Sequence, residues 1–348
     1  MEEINNRNSV SLRVEFIDLT KGICICLVVF GHIAMLQQDN PSKLTGALYS
    51  FLMPLYYFLS GLFFKRYESF KFFFVKKVNV LLIPFIAFHF LTAIGWLTLT
   101  DIVGGRLSVD NFVSHLYLFF STPCVEFLPD GPIWFLLSLF FTNLFFYGCL
   151  SLSNRFKHNM ASLLFLTILL GSSGFYFNIY CINLPLFLDT TLTAFPFFVG
   201  GFILRNYTSF LENNWPIKYS SLFILIGSIV TYFLAEREYV YVLNYYDANF
   251  FQLYFGGFMG IFTALHFSKL VGHIPLVSYY GRYSLIILVT HWFLYPYVSR
   301  VVESQNYPTI ITQMLVFIIT MLSYILIIPL LKRCFPHITA QKELIKFH

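Results

Sequence analysis

Ten apolar runs, most of them about 20 residues long, limit what this chain can fold into more than any other feature. They lie at 17–37, 44–64, 78–100, 131–150, 160–178, 184–204, 216–235, 249–267, 274–297 and 309–331. Coiled as α-helices, runs of this length match the hydrocarbon thickness of a bilayer. Composition closes the alternatives. Charged residues make up 11% of the 348, where soluble domains carry about 25%, and 57% are hydrophobic. With mean hydropathy at +0.71, a water-facing surface cannot be built, and disorder, which needs low hydrophobicity and high charge, is excluded too. The expected fold is an all-α membrane protein of about ten transmembrane helices. Segment 112–121 is too short to span and is expected to be re-entrant or interfacial.

The charges orient the bundle. Ten spans put both termini on one side, and that side carries sixteen of the 22 Lys and Arg residues, against four on the other. By the positive-inside rule the termini are cytoplasmic, and a multi-pass protein of the cell's inner (plasma) membrane is expected. The net charge of +5 is then an orientation signal and gives no reason to expect a nucleic-acid partner. No linker or internal repeat breaks the chain, so residues 1–348 are read as one membrane domain. The polar N-terminus runs into a span that already carries Asp18 and Lys21, which makes a poor signal peptide, and it is expected to be retained. Six cysteines show neither CxxC nor metal-ligand spacing. No metal or disulfide framework is expected, and Cys24 and Cys26 read as small hydrophobes.

Ionisable residues left inside spans cost free energy in lipid and are retained for pairing or function. The first span runs D-L-T-K-G-I-C-I-C-L-V-V-F-G-H from Asp18 to His32. Lys21 and His32 are eleven residues apart, about 20° from alignment and about 16 Å in rise on a helix, so both address one cleft at different depths. Asp18 is placed to pair with Lys21 one turn away. The blander readings are a hydrogen-bonded core histidine and a snorkelling lysine. In the ninth span Arg282 stands about two turns in and His291 deeper, nine residues apart and on opposite faces of a continuous helix. A buried Arg needs an anion. Asp189 is the evident intramembrane acid, although it equally suits a helix cap. The basic stretch Lys65–Lys77, with Lys76 and Lys77 at its end, can hold lipid headgroups or a phosphorylated cofactor, or can simply set topology.

At these residues the sequence resembles the acyltransferase-3 family of integral-membrane O-acyltransferases, and within it the branch typified by fucose 4-O-acetylase. F-I-D-L-T-K-G-I at 16–23 followed by Gly31–His32 is similar to the family's opening motif. F-L-M-P-L-Y-Y-F-L-S-G-L-F-F at 51–64, L-L-I-P-F at 81–85, G-P-I-W-F-L at 131–136 with its Trp134, the stretch 189–200, and Y-G-R-Y-S-L with the later His291 resemble further blocks in the same order. Two departures stand out. The first basic residue, most often Arg in the family, is Lys21, which loses any bidentate grip. The position before L-L-I-P, often Arg, is Val80.

The resemblance implies transfer of an acetyl group from acetyl-CoA, a donor substrate and no bound cofactor, to a hydroxyl of a surface glycan or lipid-linked sugar, with membrane lipids around the enzyme. A sugar hydroxyl needs a base to take its proton as it attacks the thioester. His32 is the candidate, as general base or as transient acetyl carrier, with His291 beside it in role. Asp18 and Lys21 would position the donor's anionic end. Arg282, Tyr279 or Tyr280 could supply donors to the oxyanion, with Lys76, Lys77, Trp134 and Asp189 as binding residues. The aromatic stretch Tyr239–Tyr246 offers rings for stacking on a pyranose. The rival from another class is a transporter or flippase for a lipid-linked sugar or small anion. Its usual inverted repeats with broken helices in matching positions are not seen in the sequence.

Overall fold

The computed structural model describes residues 14–35, 42–67, 69–106, 108–121, 130–156, 159–212, 214–305 and 307–346. The polar residues 1–13 and most of the outward segment 121–131 lie outside the described residues. Among the described residues twelve helices are built in order. They are α1 (Glu15–Met35), α2 (Lys43–Leu62), α3 (Phe70–Val103), α4 (Val109–Ser121), α5 (Trp134–Ser153), α6 (Asn159–Ile179), α7 (Leu188–Tyr207), α8 (Ile217–Leu234), α9 (Gly257–Val271), α10 (Pro275–Arg282), α11 (Ser284–Glu303) and α12 (Thr309–Cys334). Eight are long and apolar enough to cross a membrane. The helices α2 and α9, the latter entered through a π-turn at Gln252–Gly256, complete the ten runs of the sequence. Their hydropathy is lower because they stand inside the bundle, where α2 packs on α1, α7 and α9 and carries hydroxyls such as Ser50 and Tyr57 in the core. The α5 and α7 units are also central, whereas α6, α8 and α12 turn most of their surface to lipid.

Two expectations, on the basic stretch and on the ninth run, are corrected, and the short segment 112–121 takes a defined form. The basic stretch is not a loop up to Lys77. From Phe70 it is already helix, Ser69 capping it through its hydroxyl, and α3 continues through two π-turns, Val78–Leu82 and Leu91–Trp96. Residues 112–121 belong to α4, a largely exposed helix held against α3 by His115, whose Nε2 lies 3.3 Å from Asp101 Oδ2. The ninth run is two helices. It breaks at Tyr283 between α10 and α11, so Arg282 ends a helix at the basic face, 41% exposed, instead of lying buried within a span.

The break has a packing cause. A Cβ on Gly22 would sit 1.9 Å from the Val277 carbonyl oxygen, and one on Gly281 would sit 1.8 Å from that of Asp18. Small residues thus let α1 and α10 approach backbone to backbone. At this crossing Arg282 Nε meets Asp18 Oδ2 at 3.9 Å. The acid that answers Arg282 is therefore Asp18. Asp189 stands buried in the first turn of α7, at the opposite end of the bundle.

On the basic face the C-terminal segment folds back onto α3. The buried Asn79 accepts from the N–H groups of Leu344 and Ile345, both at 2.9 Å, and its amide donates to Ile345 O at 2.9 Å and to Val75 O at 3.0 Å. Lys76 pairs with Glu343. On the opposite face Tyr239–Val240 and Tyr245–Tyr246 form a two-residue antiparallel hairpin, here β1 and β2, that reaches down into the bundle. Tyr241 OH donates to Ser50 O at 3.2 Å, and Thr190 Oγ1 to Tyr241 O at 2.7 Å. Burial holds the phenols of Tyr241 and Tyr246 well above their ordinary pKa. Tyr246 is packed inside the bundle, whereas Tyr241 reaches the wall of a cavity beneath the hairpin.

Candidate active site

Two cavities lie in series between α1, α2 and α11. On α1 the residues Lys21, Ile25, Val28 and His32 form one stripe at helical spacing; the first two line an inner cavity and the last two an outer one. On α2 the stripe is Tyr49, Met53, Tyr56 and Ser60, and on α11 it is Ser284, Leu288, Trp292 and Tyr295. Met53 and Leu288 line both cavities. Two flexible side chains are therefore all that the two spaces share as a wall, with Lys21 and His32 about 16 Å apart in rise on either side.

The inner cavity, about 300 Å³, is cationic. Lys21 and Lys77 line it. The Lys21 ammonium lies 5.6 Å from the Phe63 ring centre, and the Arg205 guanidinium 5.4 Å from the same ring. The sequence reading assigned Arg205 to topology alone. Lys76, by contrast, is turned to Glu343 of the C-terminal segment, because it stands one residue and about 100° around α3 from Lys77.

The outer cavity, about 380 Å³, is aromatic, with His32, Tyr49, Trp134, Tyr239, Tyr241, Trp292 and Tyr295 on its walls. His32 Nδ1 lies 2.8 Å from His291 Nε2, with the ring planes parallel within 1°. His291 is fully buried, and its Nδ1 lies 2.8 Å from Ile287 O. This arrangement fixes the tautomers of two neutral rings. A carbonyl oxygen only accepts, so His291 Nδ1 carries a hydrogen and its Nε2 a lone pair. His32 Nδ1 must then be the donor to that lone pair. The proton-accepting nitrogen of His32 is consequently Nε2, and the edge of Trp292, 5.4 Å away at 89°, packs against the ring. A histidine held in one tautomer by a second group through its other nitrogen is the arrangement of an oriented general base.

The structure thus brings together Lys21, Lys77, His32, His291 and Trp134 along one path. It separates Asp189, Lys76 and Tyr280 from it. Tyr280 is buried, and its OH donates to Met321 O at 2.6 Å on the α12 side, which removes it as an oxyanion donor. Asp18 and Arg282 stand at the basic end, paired with each other. The nine-residue spacing of Arg282 and His291 carried no orientation, because the helix breaks at Tyr283. The sequence reading missed Tyr49, Met53, Leu288, Trp292 and Tyr295. A polar-aromatic stripe at i, i+4, i+7 and i+11 on α2 was present in the sequence, but a tyrosine in a span reads equally as core or interface.

A family model described as an acyltransferase domain matches residues 14–332, nearly the whole chain. None of the curated proteins matches it, and none of the solved structures does.

Proposed function

The chain belongs to the acyltransferase-3 family and is an enzyme of the acyltransferase class, and on that premise we propose that it moves an acetyl group from acetyl-CoA to a sugar hydroxyl of a surface polysaccharide or lipid-linked sugar at the plasma membrane. The observation that carries this reading is the His32–His291 pair on the wall of an aromatic cavity that adjoins a cationic one. The donor enters from the basic face. Its phosphates lie near Lys21 and Lys77, and its thioester reaches the Met53–Leu288 constriction. The acceptor enters the outer cavity, where Trp134 and Trp292 offer apolar faces to a sugar ring.

His32 Nε2 takes the hydroxyl proton as that oxygen attacks the thioester carbonyl carbon. The C–S bond breaks, the acetyl ester remains on the sugar, and the proton leaves His32 for the departing thiolate. His291 touches neither substrate and is a positioning residue that holds the tautomer. Tyr49, which lines the same cavity with its hydroxyl close against Gly31 beside His32, supplies a donor for the oxyanion.

The test is His32→Ala in purified protein, with acetyl ester formation and free thiol both measured. Loss of transfer of about 10²-fold or more, with the variant still inserted and folded, is expected. Transfer within threefold of wild type overturns the base assignment. Thiol release in detergent also separates the enzyme from a carrier, which needs a sealed membrane and cleaves nothing. Rapid-quench trapping of acetyl-His32 in the absence of acceptor would replace direct transfer with a relay through the same nitrogen.

A further inference from the structure

On its far side α2 carries a second stripe. Leu44, Leu48, Phe51 and Leu55 line a third cavity, closed by α1, α8 and α9, that runs from Tyr232 near the outer face to Thr20 and Phe267 near the basic face. It is open along its length to the lipid side of α8, where Ser228 is exposed. The groove and the reaction path therefore share α1 and α2 as common walls, and on α2 residues 48 and 49 point about 100° apart.

The groove holds about 290 Å³, room for roughly ten water-sized groups. That fits one hydrocarbon chain and excludes two side by side. Its lining is almost wholly apolar, and a cation stands at its outer end. Lys43 Nζ is 5.7 Å from the Tyr232 ring centre and 3.4 Å from Phe233 O, and no carboxylate among the described residues pairs with it. From Lys43 to Tyr49, on the wall of the His32 cavity, the rise along α2 is about 9 Å, the reach of a phosphate-linked sugar turned inward over the helix end.

We propose that this groove seats the single hydrocarbon chain of the acceptor, a polyisoprenyl-type lipid whose phosphate rests at Lys43 and whose sugar enters the His32 cavity over the outer end of α2. The assignment rests on the acetyl-transfer reading and narrows it, from any surface glycan to a lipid-linked one. Charge complementarity at Lys43 and the one-chain width select a lipid phosphate over a diacyl phospholipid.

Binding of farnesyl phosphate to the full-length purified protein, read by native mass spectrometry, tests it. One molecule per chain is expected, retained in excess phosphatidylglycerol. Ser228→Trp, which fills the groove from its exposed side, weakens binding about tenfold. Lys43→Gln weakens it about fivefold and leaves farnesol binding unchanged. Equal binding by Ser228→Trp, displacement by phosphatidylglycerol, or indifference to Lys43→Gln each overturns the assignment. Thioester cleavage in the same samples keeps the two readings apart. Cleavage that depends on His32 while farnesyl phosphate fails to bind removes only the groove. Farnesyl phosphate binding as expected alongside cleavage indifferent to His32→Ala removes the transfer mechanism and leaves the site.

Discussion

Replacing His291 with Phe tests whether tautomer control, as distinct from burial, makes His32 a base. Phe nearly matches the imidazole in shape at a fully buried position, so packing changes little. What is lost is the acceptor for His32 Nδ1–H, now 2.8 Å away. A buried donor left without its partner costs about 1–3 kcal/mol, and that penalty falls only on the tautomer with hydrogen on Nδ1. The productive tautomer is disfavoured by the same amount, which at 1.36 kcal/mol per decade is about a 5- to 150-fold fall in kcat. KM for either substrate should stay within about twofold, because His291 reaches neither. Gln at the same position can return an oxygen acceptor near the old Nε2, so His291→Gln should recover to within about tenfold of wild type. The assay is steady-state acetyl transfer in detergent, with thermal unfolding of each variant as the folding control. A His291→Phe enzyme with unchanged kcat refutes the reasoning. So does equal damage by Phe and Gln in two well-folded proteins, since an acceptor would then not be what matters.

Three further perturbations probe the frame around the site. Gly281→Ala drives a Cβ to 1.8 Å from the Asp18 carbonyl oxygen and should destabilise the protein by about 1–3 kcal/mol; Gly95→Ala, with nothing within 4 Å, is the neutral control in the same melting assay. Met53→Trp narrows the constriction shared by the two cavities and should lower transfer about tenfold or more without raising the donor's KM; an unchanged rate would show that acetyl groups do not pass there. Asn79→Ala removes every hydrogen bond from that side chain to Leu344 and Ile345, and limited trypsin digestion should cut after Lys342 markedly faster, whereas an unchanged rate would mean that other contacts hold the segment.

Much of the frame was legible because lipid is a harsh solvent. Eight helices among the described residues are long and apolar enough to cross a membrane, and the eleven-residue spacing from Lys21 to His32 became one stripe lining two cavities, since helical periodicity is local and survives folding. Where the reading failed, the missing information was non-local. Arg282 was treated as buried in a continuous helix because the Tyr283 break is imposed by the α1–α10 approach at Gly22 and Gly281, 259 residues apart in sequence. Sequence nearness offers Lys21 as a partner for Asp18, and the fold also brings Arg282 to it, at 3.9 Å. Tyr280 carries a hydroxyl suited to an oxyanion, but only packing against Met321 decides where that hydroxyl points. Lys76 and Lys77 are neighbours in sequence, and the turn of α3 sends one to the C-terminal segment and the other to the inner cavity.

By itself the sequence determined the solvent, the all-helical character of the fold, the partition of the cations and the two histidines worth attention. These follow from segment length, charge partition and the cost of polar groups in hydrocarbon. The tertiary structure alone decided that the two histidines touch, which nitrogen is left to accept a proton, and that a cationic and an aromatic cavity meet at Met53 and Leu288. Those facts depend on how helices far apart in the chain are rotated about their axes, and that rotation is set by side-chain packing between them, which no local pattern encodes.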